Sequence, residues 1–198
     1  MEIDDLPYEK LKRLLKEDHA EISLNLRIAA LFLVVYENLK ELITDRVRDF
    51  FTNEWRSIDG ELVGIPGKEH ASLLNGKGVF RACRDFHLEM GAISPDDNQL
   101  IDRFIKYRGE VAHELYAILL DDKKAALDLQ LLFQAHLLAK KIDRWWILNF
   151  EVPLNEDLVD QSIDEEKVAS GRQLFLDQLM RVALKDIFEL VEEEADGS

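Results

Sequence analysis

With 198 residues, 47% of them hydrophobic, the chain is long enough to bury the core of one domain, with or without an appendage. A formal net charge of -15 argues against a non-specific nucleic-acid coat, which needs surplus Lys and Arg against phosphates, and the single Cys83 excludes an internal disulfide framework. Four Pro and nine Gly in a chain rich in Leu, Ala, Glu, Asp and Lys point to a mostly helical protein, and the lone cysteine points to a reducing, cytoplasmic setting.

The opening "MEIDDLPYEK" has neither the basic nor the apolar region of a signal peptide. The longest unbroken apolar run, Ile28 to Tyr36, is nine residues long, against roughly 18 to 20 for a bilayer span, so no membrane partner is expected. Residues 8–17, "YEKLKRLLKE", predict a short amphipathic helix after Pro7. From Glu21 to Asn53 there is no Pro or Gly, and Ile28, Leu31, Phe32, Val35, Leu39, Leu42, Ile43 and Val47 recur at three-and-four spacing, which predicts a long buried helix. Residues 56–78 hold five of the nine glycines and Pro66, so a long loop with room for a small hairpin is expected there. Within it "GIPGKE" lacks the spacing and the Ser or Thr of a phosphate-binding loop. A helix from Val79 to Met90 should end at Gly91.

"SPDDN" then supplies Ser94 as N-cap, Pro95 in the first turn and two acids suited to the positive end of the helix dipole. The helix it opens runs to about Leu120 and contains "YRGEVAHEL", residues 107–115. "DDKKAALDLQLLFQAHLLAKKIDRWWILNF" predicts a helix opening at Asp121 or Asp122, with Leu127, Leu131, Leu138, Ile142 and Trp145 on one stripe. Residues 151–163, with Pro153, read as an extended linker before a last helix over 164–193; residues 151–198 hold fourteen acids and four bases. Short loops between long striped helices imply antiparallel neighbours. The fold class is therefore all-α: an up-and-down bundle of four to five main helices with an additional C-terminal helix. Residues 1–150 form the bundle, with the Gly-rich loop at 56–78, and the acidic segment 151–198 packs on the same domain.

Helical phase singles out one position. Taking Leu100 as zero and 100° per residue, Phe104, Val111, Leu115 and Ile118 lie within about 60° and define the core stripe. Arg108 falls at about 80°, inside that stripe, and His113 at about 220°, on the opposite side. A buried arginine without a partner is strongly unfavourable. Either the helix is perturbed at Gly109, or Arg108 faces a polar cleft or a second subunit. Arg108 and His113 are the single Arg-x-x-x-x-His pair among the twelve arginines of the chain.

"YRGEVAHEL" resembles the signature of the HEPN family: Arg, four residues, then His preceded by Ala, on an inner helix of a small bundle. The resemblance covers residues 20–150 by architecture and 104–120 by motif. It implies a metal-independent endoribonuclease of toxin or antiphage-defence type, acting as a homodimer whose Arg and His pairs meet across the interface, with an RNA substrate and an antitoxin or other protein partner. It makes Arg108 and His113 the catalytic residues, with Glu110 and Tyr116 in support. His113, titrating near neutrality, could take the proton of a ribose 2′-OH or protonate the leaving 5′-oxygen, and the permanently charged Arg108 could stabilise the phosphate. Gly109 stands where active members often carry Asn, Asp or His, and this departure and the net charge favour the alternative of a non-catalytic dimeric module that recognises a partner protein or nucleotide. Leu115 stands where a partner-silenced subgroup carries Tyr, so adenylylation by such a partner is not implied. The long acidic C-terminal segment is a third departure, which could shield the cleft or dock a partner.

The other polar residues give simpler readings. Glu110 and His113 spell one E-x-x-H, but the second copy that a di-metal site needs does not occur, and "HELYA" fails the zinc-protease pattern at Ala117. No metal ligands and no cofactor are predicted. Cys83 reads as a core residue and Trp145 and Trp146 as packing groups, while Lys123, Lys124, Lys140, Lys141 and Arg144 read as solvated faces.

Overall fold

The structure, a computed structural model, describes residues 19–120, 126–158 and 162–188. The helix expected at 8–17, the Lys123 and Lys124 pair and the end of the last helix lie outside the described residues. The protein is predominantly α-helical, as a helical bundle requires. Its first element, α1 (His19–Phe50), has 32 residues. Ile28, Phe32, Val35, Leu39, Ile43 and Val47 are all buried, so the three-and-four pattern does mark the inner face. By length and composition alone Ala20–Phe50 could cross a bilayer, a property that the core helix of a soluble protein shares.

The glycine-rich segment holds the small hairpin for which the sequence left room. It forms an antiparallel hairpin of β1 (Thr52–Ile58) and β2 (Glu61–Pro66). Asp59 and Gly60 both have positive φ, 53° and 88°, which is what a two-residue type I′ turn demands. A short helix α2 (Lys68–Leu74) follows, and then α3 (Val79–Glu89) and α4 (Pro95–Leu120). Ser94 caps α4 in a reciprocal pair: Asp97 N–H donates to Ser94 Oγ at 3.2 Å, and Ser94 N–H donates to Asp97 Oδ2 at 2.7 Å.

Helix α5 (Leu129–Trp146) begins later than Asp121 or Asp122, because 126–128 are not helical and Asp128 is the cap: its Oδ1 accepts the Leu131 N–H at 2.9 Å. It continues into a π turn, Ile147–Glu151. A separate 3₁₀ turn at Glu165–Lys167 precedes α6 (Gly171–Ala183), so the last helix starts seven residues after the expected position. Leu127, Leu131, Leu138 and Ile142 are buried as the stripe requires, but the buried tryptophan is Trp146, with Trp145 half-buried.

The chain divides into two compact units. The first comprises residues 1–36, 103–134 and 171–198. Its core contains Phe32, whose ring lies 5.6 Å from Phe104 and 5.1 Å from Tyr107, together with Val111, Leu132, Leu176, Met180 and Leu184. Arg27 pairs with Asp186 at 2.5 Å.

The second unit comprises residues 37–102 and 135–170. It is built on aromatic contacts among Phe50, Phe86, Trp146 and Phe150. Buried Asp143 accepts the Ser170 N–H at 2.8 Å and lies 3.5 Å from Arg46. Cys83 is fully buried here, and burial pushes its thiol up to about 11. Because the thiolate is the reactive form, Cys83 should resist a disulfide reagent in the native protein and react at once in denaturant. Comparable rates in both conditions would contradict this placement.

Candidate functional site

Helix α4 carries all four sequence-predicted site residues, and it runs unbroken through Gly109. Of the two ways to relieve Arg108, a perturbed helix is therefore not the one found. A Cβ built on Gly109 would meet nothing within 4 Å, so the glycine serves no close approach. Gly109→Ala should accordingly raise stability by about 1 kcal/mol, the intrinsic helix penalty of glycine. Urea denaturation measures this, and a loss of stability would contradict the open space around Gly109.

Arg108 is half-buried, with its guanidinium carbon 4.5 Å from the centroid of the Tyr36 ring. This cation–π contact offers the arginine a polarisable surface in place of bulk water. Tyr36 stands four residues after Phe32 on α1, so the same helix that supplies the core also supplies the arginine's platform. No local sequence signal links positions 36 and 108.

His113 and Tyr116 are exposed, Tyr116 by 78%. Five residues of α-helix separate Arg108 from His113 by about 140° of rotation, so within one chain the two leave the helix on different sides. The pair is not brought together on one face. Glu110 is exposed and lies 3.8 Å from Lys106 Nζ, an i,i+4 pair.

What shares the face of His113 is a row at three-and-four spacing, Arg103, Lys106, Glu110 and His113. The first three of these line a cavity of about 320 Å³, completed by Tyr107 and by Asp128, Gln130, Leu131 and Gln134 from the start of α5. The Tyr107 hydroxyl accepts the Asp128 N–H at 2.9 Å, which pins the cavity wall. Burial raises the Tyr107 hydroxyl above its ordinary value, and the nearby Asp128 and Glu110 charges act in the same direction, so it stays protonated at neutral pH. Arg103 and Lys106 do not stand out in the sequence, where the paired lysines form denser basic clusters. Their spacing from His113 was the available signal.

Among the described residues, no group of three or more His, Cys, Asp or Glu side chains could hold a metal ion. His87, the most buried histidine in α3, is held by packing chemistry instead: its Nδ1 lies 2.7 Å from the Cys83 carbonyl, and its Nε2 accepts the Trp146 indole N–H at 2.9 Å. Burial lowers its pKa, and the carbonyl only partly opposes that.

No known family, curated protein or solved structure matches the chain. The functional reading therefore rests on the α4 face itself.

Proposed function

We propose that the protein is a metal-independent endoribonuclease of the HEPN type, in which Arg108 of one copy and His113 of another act on the same phosphate. The observation that supports this reading is their placement on one continuous helix, about 140° apart, with Arg108 stacked on Tyr36 and His113 exposed. A single chain presents them in different directions, and a twofold axis is the simplest operation that would pair them. In that arrangement His113 takes the 2′-OH proton, O2′ attacks phosphorus, and the P–O5′ bond breaks as the proton is passed on from His113 to O5′, directly or through water, to leave a 2′,3′-cyclic phosphate and a 5′-hydroxyl. Arg108 faces the charge that grows on the non-bridging oxygens. Arg103 and Lys106, on the His113 face, would guide the strand.

Cleavage of RNA in the presence of EDTA is the expected activity of the purified protein. His113→Ala should lower it by about 10²- to 10⁴-fold, the usual contribution of a general acid–base group. Arg108→Ala should do likewise. A mixture of the two variants should regain activity, since a mixed dimer contains one site with both side chains intact. Full activity in either variant alone sinks the assignment, and two inactive variants that stay inactive when mixed argue against a shared site.

A second reading, a dimeric module of the same architecture without catalysis that recognises a partner protein or nucleotide, is favoured by Gly109. The position carries no polar group beside Arg108, although a Cβ would meet open space there. Absence of RNA turnover together with no growth inhibition in a bacterial host would select it.

A further inference from the structure

The β1–β2 hairpin has an unusual surface. Residues 53–63 are exposed without exception, including Trp55 at 60%, Ile58 at 47% and Leu62 at 70%. Its sheet has two strands among the described residues, so the outer edge of β1 carries open backbone groups. A two-stranded ribbon exposed in this way is marginal in water, and its edge is a template for another strand.

The direction of the open groups follows from the turn. In a two-residue hairpin the pair closing the turn, Ile58 and Glu61, exchanges both backbone bonds, and alternate residues along the strand then point the other way. Ile58, Arg56 and Glu54 thus bond to β2, while Ser57 and Trp55 direct N–H and C=O to the open edge; the register shifts between Thr52 and Glu54, so the alternation ends at a bulge at Asn53. Neither Ser57 nor Trp55 is proline, so each retains its donor.

The side chains show which strand fits that edge. Antiparallel pairing of β1 with a copy of itself, centred on Trp55, sets Glu54 against Arg56 of the copy and Arg56 against Glu54 of the copy. It also sets Trp55 against Trp55. Both charges are already on one face, where Arg56 Nε donates to Glu54 Oε1 at 2.7 Å. Self-pairing would turn this pair into a closed ring of four alternating charges, whereas directly opposed like charges are destabilising. Trp55 covers Gly64 on the other face, its ring 3.3 Å from where a Cβ would stand, and Leu62 lies two positions along, paired with Ser57. Two copies therefore also make one apolar patch of two Trp55 and two Leu62 side chains.

We infer that β1 is a self-complementary edge that joins two copies of this chain through a four-stranded antiparallel sheet, with the twofold axis at Trp55. The inference rests on neither Arg108 nor His113: loss of this edge contact with other self-association intact would leave the catalytic reading untouched, whereas a wholly monomeric chain would count against both.

Sedimentation of the full chain over a concentration series tests it. Arg56→Glu or Glu54→Arg alone places like charges opposite each other and should weaken self-association at this edge at least tenfold. The double exchange, Glu54→Arg with Arg56→Glu, should restore it. Mixing the two single variants should also restore it, because one chain then offers two acids to two bases. A hairpin merely weakened within its own chain would not be rescued by mixing. Trp55→Cys should form a disulfide-linked pair on mild oxidation, and adding Arg56→Glu should suppress that product even if other contacts hold the chains together. Unchanged association and cross-linking in the single charge variants overturn the inference, as does a wild-type chain that is monomeric to about 100 µM, a very weak contact on any affinity scale.

Discussion

Phe32→Ala should destabilise the protein by about 3–5 kcal/mol, the range found for removing a fully buried aromatic ring. Phe32 has no exposed surface and touches two rings of α4, Phe104 at 5.6 Å and Tyr107 at 5.1 Å. The loss is one of hydrophobic transfer together with a cavity that rigid helices collapse into only partly. The effect also reaches the candidate site. Tyr107 holds the Asp128 backbone through its hydroxyl, and its chain neighbour Arg108 lies over Tyr36, one turn after Phe32 on α1. Phe32→Leu, which keeps most of the volume, should cost clearly less and leave the cavity wall in place. Equilibrium urea unfolding of the three proteins reads the order wild type, Leu, Ala; a loss below about 1 kcal/mol for Ala would mean that the ring is not in the core.

The second large effect depends on pH. His87 is neutral in the native fold, because burial disfavours the imidazolium and Nε2 is occupied as an acceptor for Trp146. In the unfolded chain it titrates near its ordinary value of about 6.5. The folded pKa is the lower of the two, so the unfolded state binds the extra proton first. The stability that His87 contributes is complete above about pH 6.5 and is lost as pH falls from there toward the depressed native value, with a slope approaching 1.4 kcal/mol per pH unit for one proton. His87→Phe should flatten this part of the profile. It should also cost stability at pH 8, since the Trp146 N–H is left buried without its acceptor. The carboxylates act in a lower window. Burial pushes Asp97 up, but hydrogen bonds from Lys141 and Ser94 outweigh it and hold the carboxyl below its usual range, so its contribution disappears only as pH falls below about 4. An identical pH profile for wild type and His87→Phe between pH 7 and 5 would remove His87 as the cause.

Much of this arrangement could be read in the sequence wherever the signal was local. The buried face of α1 follows from its apolar spacing, and the capping of α4 follows from "SPDD". Phase alone turns Arg108 inward from the exposed face, and the structure has it half-buried. Signals that were local but ambiguous misled: Asp121 and Asp122, which lie outside the described residues, suggest an earlier start for α5, which opens at Leu129 with Asp128 as its cap. Adjacent tryptophans differ by 100° of rotation, and a stripe drawn from Leu127, which precedes the helix, settles on the wrong one: the buried face of α5 runs through Ala135, Ala139, Ile142 and Trp146. Non-local facts left no trace at all. Tyr36 beneath Arg108 and Trp146 against His87 join positions 72 and 59 residues apart, and a single sequence has no term for such pairs.

The two compact units are interleaved along the chain, and that has a genetic consequence. Unit one is written in three separate stretches and unit two in two, so neither corresponds to a contiguous gene segment that could be exchanged, duplicated or expressed alone. Removing the chain after residue 170 would delete Leu176, Met180 and Leu184, core residues of the unit that also holds Phe32. That unit cannot complete its core until these distant stretches have both been synthesised.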